Sequence, residues 1–211
     1  MRVSADKLLA ALVKVRILEE QMVQYCTDPM QIPVPWQSVV MAVEQYTGDK
    51  IEVVRPTTGE MKLLNGAMIR WDDGLVAIVL REELTTVDEN YVIVKEAMHP
   101  LIDEDVDRSP DTDRTIDLLF KSEFFGTGNG ENDHEAVVHS EHLALIIACC
   151  VLVPQRIREG LKADIDSGKT TVAKAARQHG VPEHVIDIAL SDMVMQFTAE
   201  ATVTGTRISA R

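Results

Sequence analysis

Basic residues are scarce in this chain: 21 lysines and arginines stand against 34 aspartates and glutamates, a formal net charge of −13 over 211 residues. Such a balance repels a phosphate backbone and argues against nonspecific nucleic-acid binding, while favouring solubility. Long hydrophobic runs are missing as well. The longest, Leu143 to Val153, is too short to span a bilayer, and the charged start (Arg2, Asp6, Lys7, Lys14, Arg16) is not a signal peptide, so a cytoplasmic location is expected. Cysteine is limited to Cys26 and the adjacent Cys149 and Cys150, which yield neither a disulfide framework nor a C-x-x-C metal pair. Their expected role is core packing.

What remains is long enough for one domain with a real core. Leu8, Leu12, Val15, Leu18 and Met22 recur at helical spacing behind Ser4, a candidate N-cap, and predict an amphipathic helix from Ser4 to about Tyr25. Three prolines between Asp28 and Pro35 then predict a linker. A second helix, Trp36 to Tyr46, is closed by Gly48. Strands are expected over Lys50 to Val54, Lys62 to Trp71 and Leu75 to Leu80, the last two joined by a hairpin at Asp72-Asp73-Gly74. Together these predict an α+β fold with a small, partly antiparallel sheet.

The stretch that carries chemistry is Asn90 to Asp103, inside a helix expected over Val87 to His99 with Asp88 as N-cap. Its centre reads Lys95-Glu96-Ala97-Met98-His99, the frame of an H-E-x-x-H zinc helix with the first histidine replaced. In that motif two histidines four apart bind Zn²⁺ from one helix face, and the glutamate between them serves as general base on the metal-bound water. Pro100 follows directly; lacking an N–H and clashing with the carbonyl four residues back, it should kink or end the helix. Asp103 would meet His99 only if helical geometry survives that proline. Downstream, Glu141 opens an apolar run that carries Ala144, Ala148, Val151, Leu152 and Pro154.

Taken together, the KEAMH stretch and the Glu141 run resemble the two signatures of the ImmA/IrrE family of metallopeptidases, and the resemblance extends from about Pro33 to Leu190. It implies a zincin-like domain whose site helices lie beside a small mixed sheet, with an extended substrate along the edge strand next to the metal helix. It also implies His99 and Glu141 as zinc ligands, Glu96 as catalytic base, and as substrate a DNA-binding repressor cleaved to release transcription. Lys95 and Pro100 depart from the family pattern. An ammonium is repelled by Zn²⁺ and ligates only after losing its proton, so Lys95 speaks for loss of zinc. Instead it is expected to take the metal's place and pair with Glu141 or Glu96.

Other residues near this frame invite alternatives. His139 and His142 are turned away from the direction of Glu141 on a helix, whereas His134, read as part of the preceding loop, is freer to replace the missing ligand. The acidic stretch from Asp103 to Asp113 lacks the register of a calcium loop and reads as solvated. Thr115 to Phe125 reads as helix. The glycines Gly126, Gly128 and Gly130 do not join a strand to a helix and so give no nucleotide signature.

After a helix from Gln155 to about Ala163, the segment Thr171 to Met193 resembles a helix-turn-helix, with Ala176, Gly180, Val181 and Ile186 in pattern. Its second helix offers Glu183, His184, Asp187 and Asp192 where a DNA reader would offer Arg, Lys, Asn or Gln, so packing or protein docking is expected rather than direct DNA binding. The expected organisation is an N-terminal helix (1–27), a zincin-like domain (33–165), a helical pair (166–198) and a frayed tail (199–211). The leading functional expectation is a degenerate metallopeptidase-fold protein that regulates a helix-turn-helix transcriptional regulator by contact. A working metallopeptidase with a remodelled site is the alternative, and an acidic interaction protein or DNA mimic a weaker one.

Overall fold

Apolar spacing in the first helix is realised as burial: in α1 (Ala5–Met22) the side chains of Leu8, Ala11, Leu12, Val15, Leu18 and Met22 all face the core. The computed structural model describes residues 4–25, 32–55, 65–71, 73–103 and 132–209, without the side chains of 132–138 and 204–209. Among these are eight helices and a three-stranded mixed sheet, an α+β architecture. After α1 come α2 (Trp36–Thr47), β1 (Lys50–Val54), β2 (Gly66–Arg70), β3 (Leu75–Leu80) and α3 (Thr86–Ile102). They are followed by α4 (Asn132–Leu152), α5 (Gln155–Asp166), α6 (Val172–His179), α7 (Glu183–Ala189) and α8 (Asp192–Ser209). The expected helix over Thr115 to Phe125, the acidic stretch beyond Asp103, the glycine-rich segment, Cys26 and most of the proline linker lie outside the described residues.

The sheet runs β1-β3-β2, with β3 parallel to β1 and antiparallel to β2. β1 and β3 occupy the stretches expected from their β-branched runs; β2 is described from Gly66 only. Along β3, Val76, Ile78 and Leu80 are fully buried on the face that meets the helices. The sheet lies close against the site helix at Gly66, where a Cβ would lie 2.4 Å from Val92 Cγ1 and 3.6 Å from Glu96 Cγ. No other residue fits that approach without movement.

Two expectations about the helices are corrected. Thr85, not Asp88, is the N-cap of α3: its Oγ1 accepts from Asp88 N at 3.1 Å and donates to Asp88 Oδ2 at 2.7 Å. Nor does Pro100 end α3, which continues to Ile102. Proline removes only the bond to the Glu96 carbonyl, and the ladder resumes where Asp103 N donates to His99 O at 2.8 Å. From α1, Lys14 Nζ donates to Leu101 O at 2.9 Å and satisfies one of the carbonyls left open at the helix end.

Helix α4 is the centre of the core: Ala144 and every residue from Ile146 to Val151 are fully buried, as befits a helix apolar all round. Its C-terminal carbonyls are held by Arg158, 1 % exposed, which donates to Val153 O at 2.6 Å and Cys150 O at 2.9 Å. One apolar cluster joins α1, the sheet and every later helix, from Leu8 to Ala201. The expected frayed tail is instead part of α8, where Ala201 is buried and Thr202 O accepts from Arg16 Nη1 at 2.9 Å. Packing against α1 gives that segment a reason to remain helical.

The helix-turn-helix-like pair is α6 and α7, joined at Gly180 with φ +60°, a left-handed conformation made for glycine; Pro33 atoms would stand 3.1 Å from a Cβ there. Val185, Ile186 and Ala189 of α7 are buried, and the His184 ring meets Tyr91 of α3 edge to face at 4.9 Å. Among the described residues no single helix is long and apolar enough to cross a membrane; α4 and α5 together have the composition, but they bend by 85°.

Candidate functional site

Among the described residues, helices α3 and α4, which pack side by side, and the α3 C-cap Asp103 supply the charged groups of the site. On α3, Lys95, His99 and Asp103 follow at intervals of four and therefore share a face, with Glu96 beside it. On α4, Ser140 and Glu141 meet them across the helix pair. The Lys95 ammonium donates to Glu96 Oε1 at 3.0 Å and also to Glu141 Oε2. His99 Nδ1 lies 3.0 Å from Asp103 Oδ2 and 3.2 Å from Ser140 Oγ, and Ser140 Oγ donates to Asp103 Oδ1. The other ring nitrogen, Nε2, is 3.4 Å from Glu141 Oε1 and 3.9 Å from Glu96 Oε2; these are charge contacts rather than aligned hydrogen bonds.

The chain of contacts thus reads Asp103, His99, Glu141, Lys95, Glu96, with Glu96, His99 and Asp103 side chains only 5 %, 6 % and 8 % exposed. Burial opposes the charge on Lys95, but Glu96 and Glu141 outweigh it and hold the amine protonated well beyond the usual lysine range. Burial likewise opposes protonation of His99, yet the contacts with Asp103 and Glu141 push its pKa up to about 10. Against burial, His99 and Lys95 hold the Glu141 carboxyl far below the ordinary carboxylate range.

Sequence reasoning named five of these residues, and the structure brings all five together: Lys95, Glu96, His99, Asp103 and Glu141. Survival of α3 through Pro100 is what delivers Asp103 to His99. Two others were missed. Ser140 precedes Glu141, and its role depends on how the two helices face each other. Tyr91 lies one turn before Lys95, and burial pushes its phenol pKa up, with Cys149, Glu96 and Glu141 adding to the rise. His134 stands in α4, about two turns before Glu141, rather than on a loop. His139 lies with Ser140 and Asp103 along a cleft of about 70 Å³ whose far wall is α1, and His142 is half-buried.

No family model matches the chain, and no curated protein or solved structure does either. As they stand, the side chains do not fit a metal ion. An ammonium carries three N–H donors and no lone pair, and Lys95 places it between the two glutamates. Among the described residues no group of three His, Cys, Asp or Glu side chains is arranged to hold a metal. What the arrangement offers is a nearly dry network of ion pairs that ties α3 to α4.

Proposed function

We propose that this protein is a degenerate ImmA/IrrE-like metallopeptidase with a zincin-like core, which works in the cytoplasm by binding a transcriptional regulator rather than by zinc catalysis. The observation that carries this reading is the Lys95 ammonium bridging Glu96 and Glu141, where the resemblance puts a metal ligand. A protonated amine held there repels Zn²⁺ and leaves Glu96 no metal-bound water to deprotonate.

Several features support a contact function. Among the described residues β2 is an edge strand, antiparallel to β3 and pressed at Gly66 against α3 beside Glu96, so an extended segment of a partner can add to it by main-chain hydrogen bonding. A net charge of −13 favours a basic partner, such as the DNA-reading surface of a helix-turn-helix regulator, over DNA itself. The exposed face of α7, with Glu183 and Asp187, has the same preference.

The test is metal analysis of the purified protein, followed by incubation with helix-turn-helix transcriptional regulators. Less than about a tenth of an equivalent of zinc, and a regulator that co-elutes uncleaved, is the expected result. One equivalent of tightly held zinc together with a cleaved regulator would replace this reading with that of a working metallopeptidase.

A further inference from the structure

We propose that the cleft where α1, the end of α3 and α4 meet is a binding site for a small organic carboxylate, held through its two oxygens by Lys14 and His139. The inference makes no use of the Lys95 bridge and does not depend on the regulatory reading.

Two side chains with nitrogen donors to spare line this cleft of about 70 Å³. Lys14 of α1 is half-buried, and an ammonium has three N–H groups. One is donated to Leu101 O at 2.9 Å, and among the described residues none is paired with a carboxylate. His139 of α4 is half-buried too, and among the described residues its ring has neither a hydrogen-bond nor a charge partner. With 34 acidic side chains against 21 basic ones, a half-buried lysine in this chain has many carboxylates to choose from, and Lys14 takes none. The bond to Leu101 O also holds its ammonium in place, so little side-chain freedom remains to be lost when an anion arrives.

The rest of the lining says which anion fits. Asp103 is the one carboxylate in it, and its two oxygens are already taken by His99 and Ser140. Ser140 donates its own proton to Asp103, so it has no donor left for the further oxygens of a phosphate. Two nitrogen groups match the two oxygens of a carboxylate instead. Beside them, Ala10, Ile102 and Leu143 offer an apolar wall to a short aliphatic tail. At a liquid share of about 30 Å³ per water, the space holds roughly two waters, which limits that tail to a few carbons.

The experiment titrates the isotopically labelled full-length protein with sodium butyrate, sodium acetate, butyramide and inorganic phosphate at constant ionic strength and follows backbone amide chemical shifts. Butyrate should shift the amides of Lys14, His139 and Leu143 with a Kd on the order of 1 mM, the range open to a ligand of about six heavy atoms. Acetate, shorter by two methylenes, should bind about tenfold more weakly. Butyramide has the same shape without the charge, and it and phosphate should leave these amides unmoved. Lys14→Met should weaken butyrate by about tenfold and His139→Phe by about fivefold, each removing donors to the carboxylate. Ala10→Leu, which keeps both donors and fills the cleft from an exposed position, should abolish binding, and it decides the matter should Lys14→Met fail to fold. The inference is overturned by the absence of saturable shifts up to about 20 mM butyrate. Equal binding of acetate, butyramide or phosphate overturns it too, as does butyrate binding that survives Ala10→Leu or a folded Lys14→Met unchanged. Any of these results leaves the regulatory reading standing, since zinc content and the uncleaved regulator are read separately.

Discussion

His99 is held from both sides of its ring, and the two sides do different jobs. Asp103 and Ser140 fix Nδ1, and Glu141 faces Nε2, so the ring is oriented and its protonated form favoured. Folded, its pKa rises to about 10; unfolded, it returns to about 6.5. Because the folded value is the higher, the stability this contributes is fully present below the unfolded pKa and is lost as pH rises through the folded one. Comparing the parent with His99→Gln by chemical denaturation should therefore show a stability difference that shrinks steadily between about pH 6.5 and 10. A difference that stays constant or grows across that window would mean the imidazole is neutral in the native state. From the residues alone the Asp103 contact was conditional on the helix surviving Pro100, and Ser140 was merely the neighbour of Glu141.

Among the elements, the ones read correctly were those whose pattern is local. The β-branched runs of β1 and β3, bounded by turn residues, mark strands wherever they are placed, and the apolar stripe of α1 marks a helix. Pro100 misled because its local effect is real but small in a last turn, where Lys14 from α1 satisfies the carbonyl of Leu101. The tail misled for a related reason: polar sequence predicts fraying, and only docking on α1 shows why α8 persists. The contact between β2 and α3 likewise belongs to the assembled fold. At Gly66, the added methyl of Gly66→Ala would meet Val92 Cγ1 at 2.4 Å, so either the Val92 side chain turns or strand and helix separate. That substitution should cost about 1–3 kcal/mol in urea unfolding, with part of the loss recovered when Val92→Ala makes room. An unchanged midpoint for Gly66→Ala would show that the strand is free to shift.

Over the whole molecule, the charge of −13 sets a long-range preference that no single contact reverses. The isolated protein should therefore give no salt-sensitive retardation of duplex DNA at micromolar concentration, even at about 50 mM salt. A sequence-specific shift under those conditions would mean that α6 and α7 read DNA despite Glu183 and Asp187. Charge, the lack of a long apolar run, the helix and strand periods and the spacing of Lys95, Glu96, His99 and Glu141 are properties of the chain as written, because each depends on composition or on neighbours a few residues apart. The parallel pairing of β1 with β3, the place of α8 on α1 and the contact of Ser140 with His99 and Asp103 are not. Each joins residues tens of positions apart, and for such pairs the choice among partners is made by what the packed core leaves room for and by which buried charges it must neutralise.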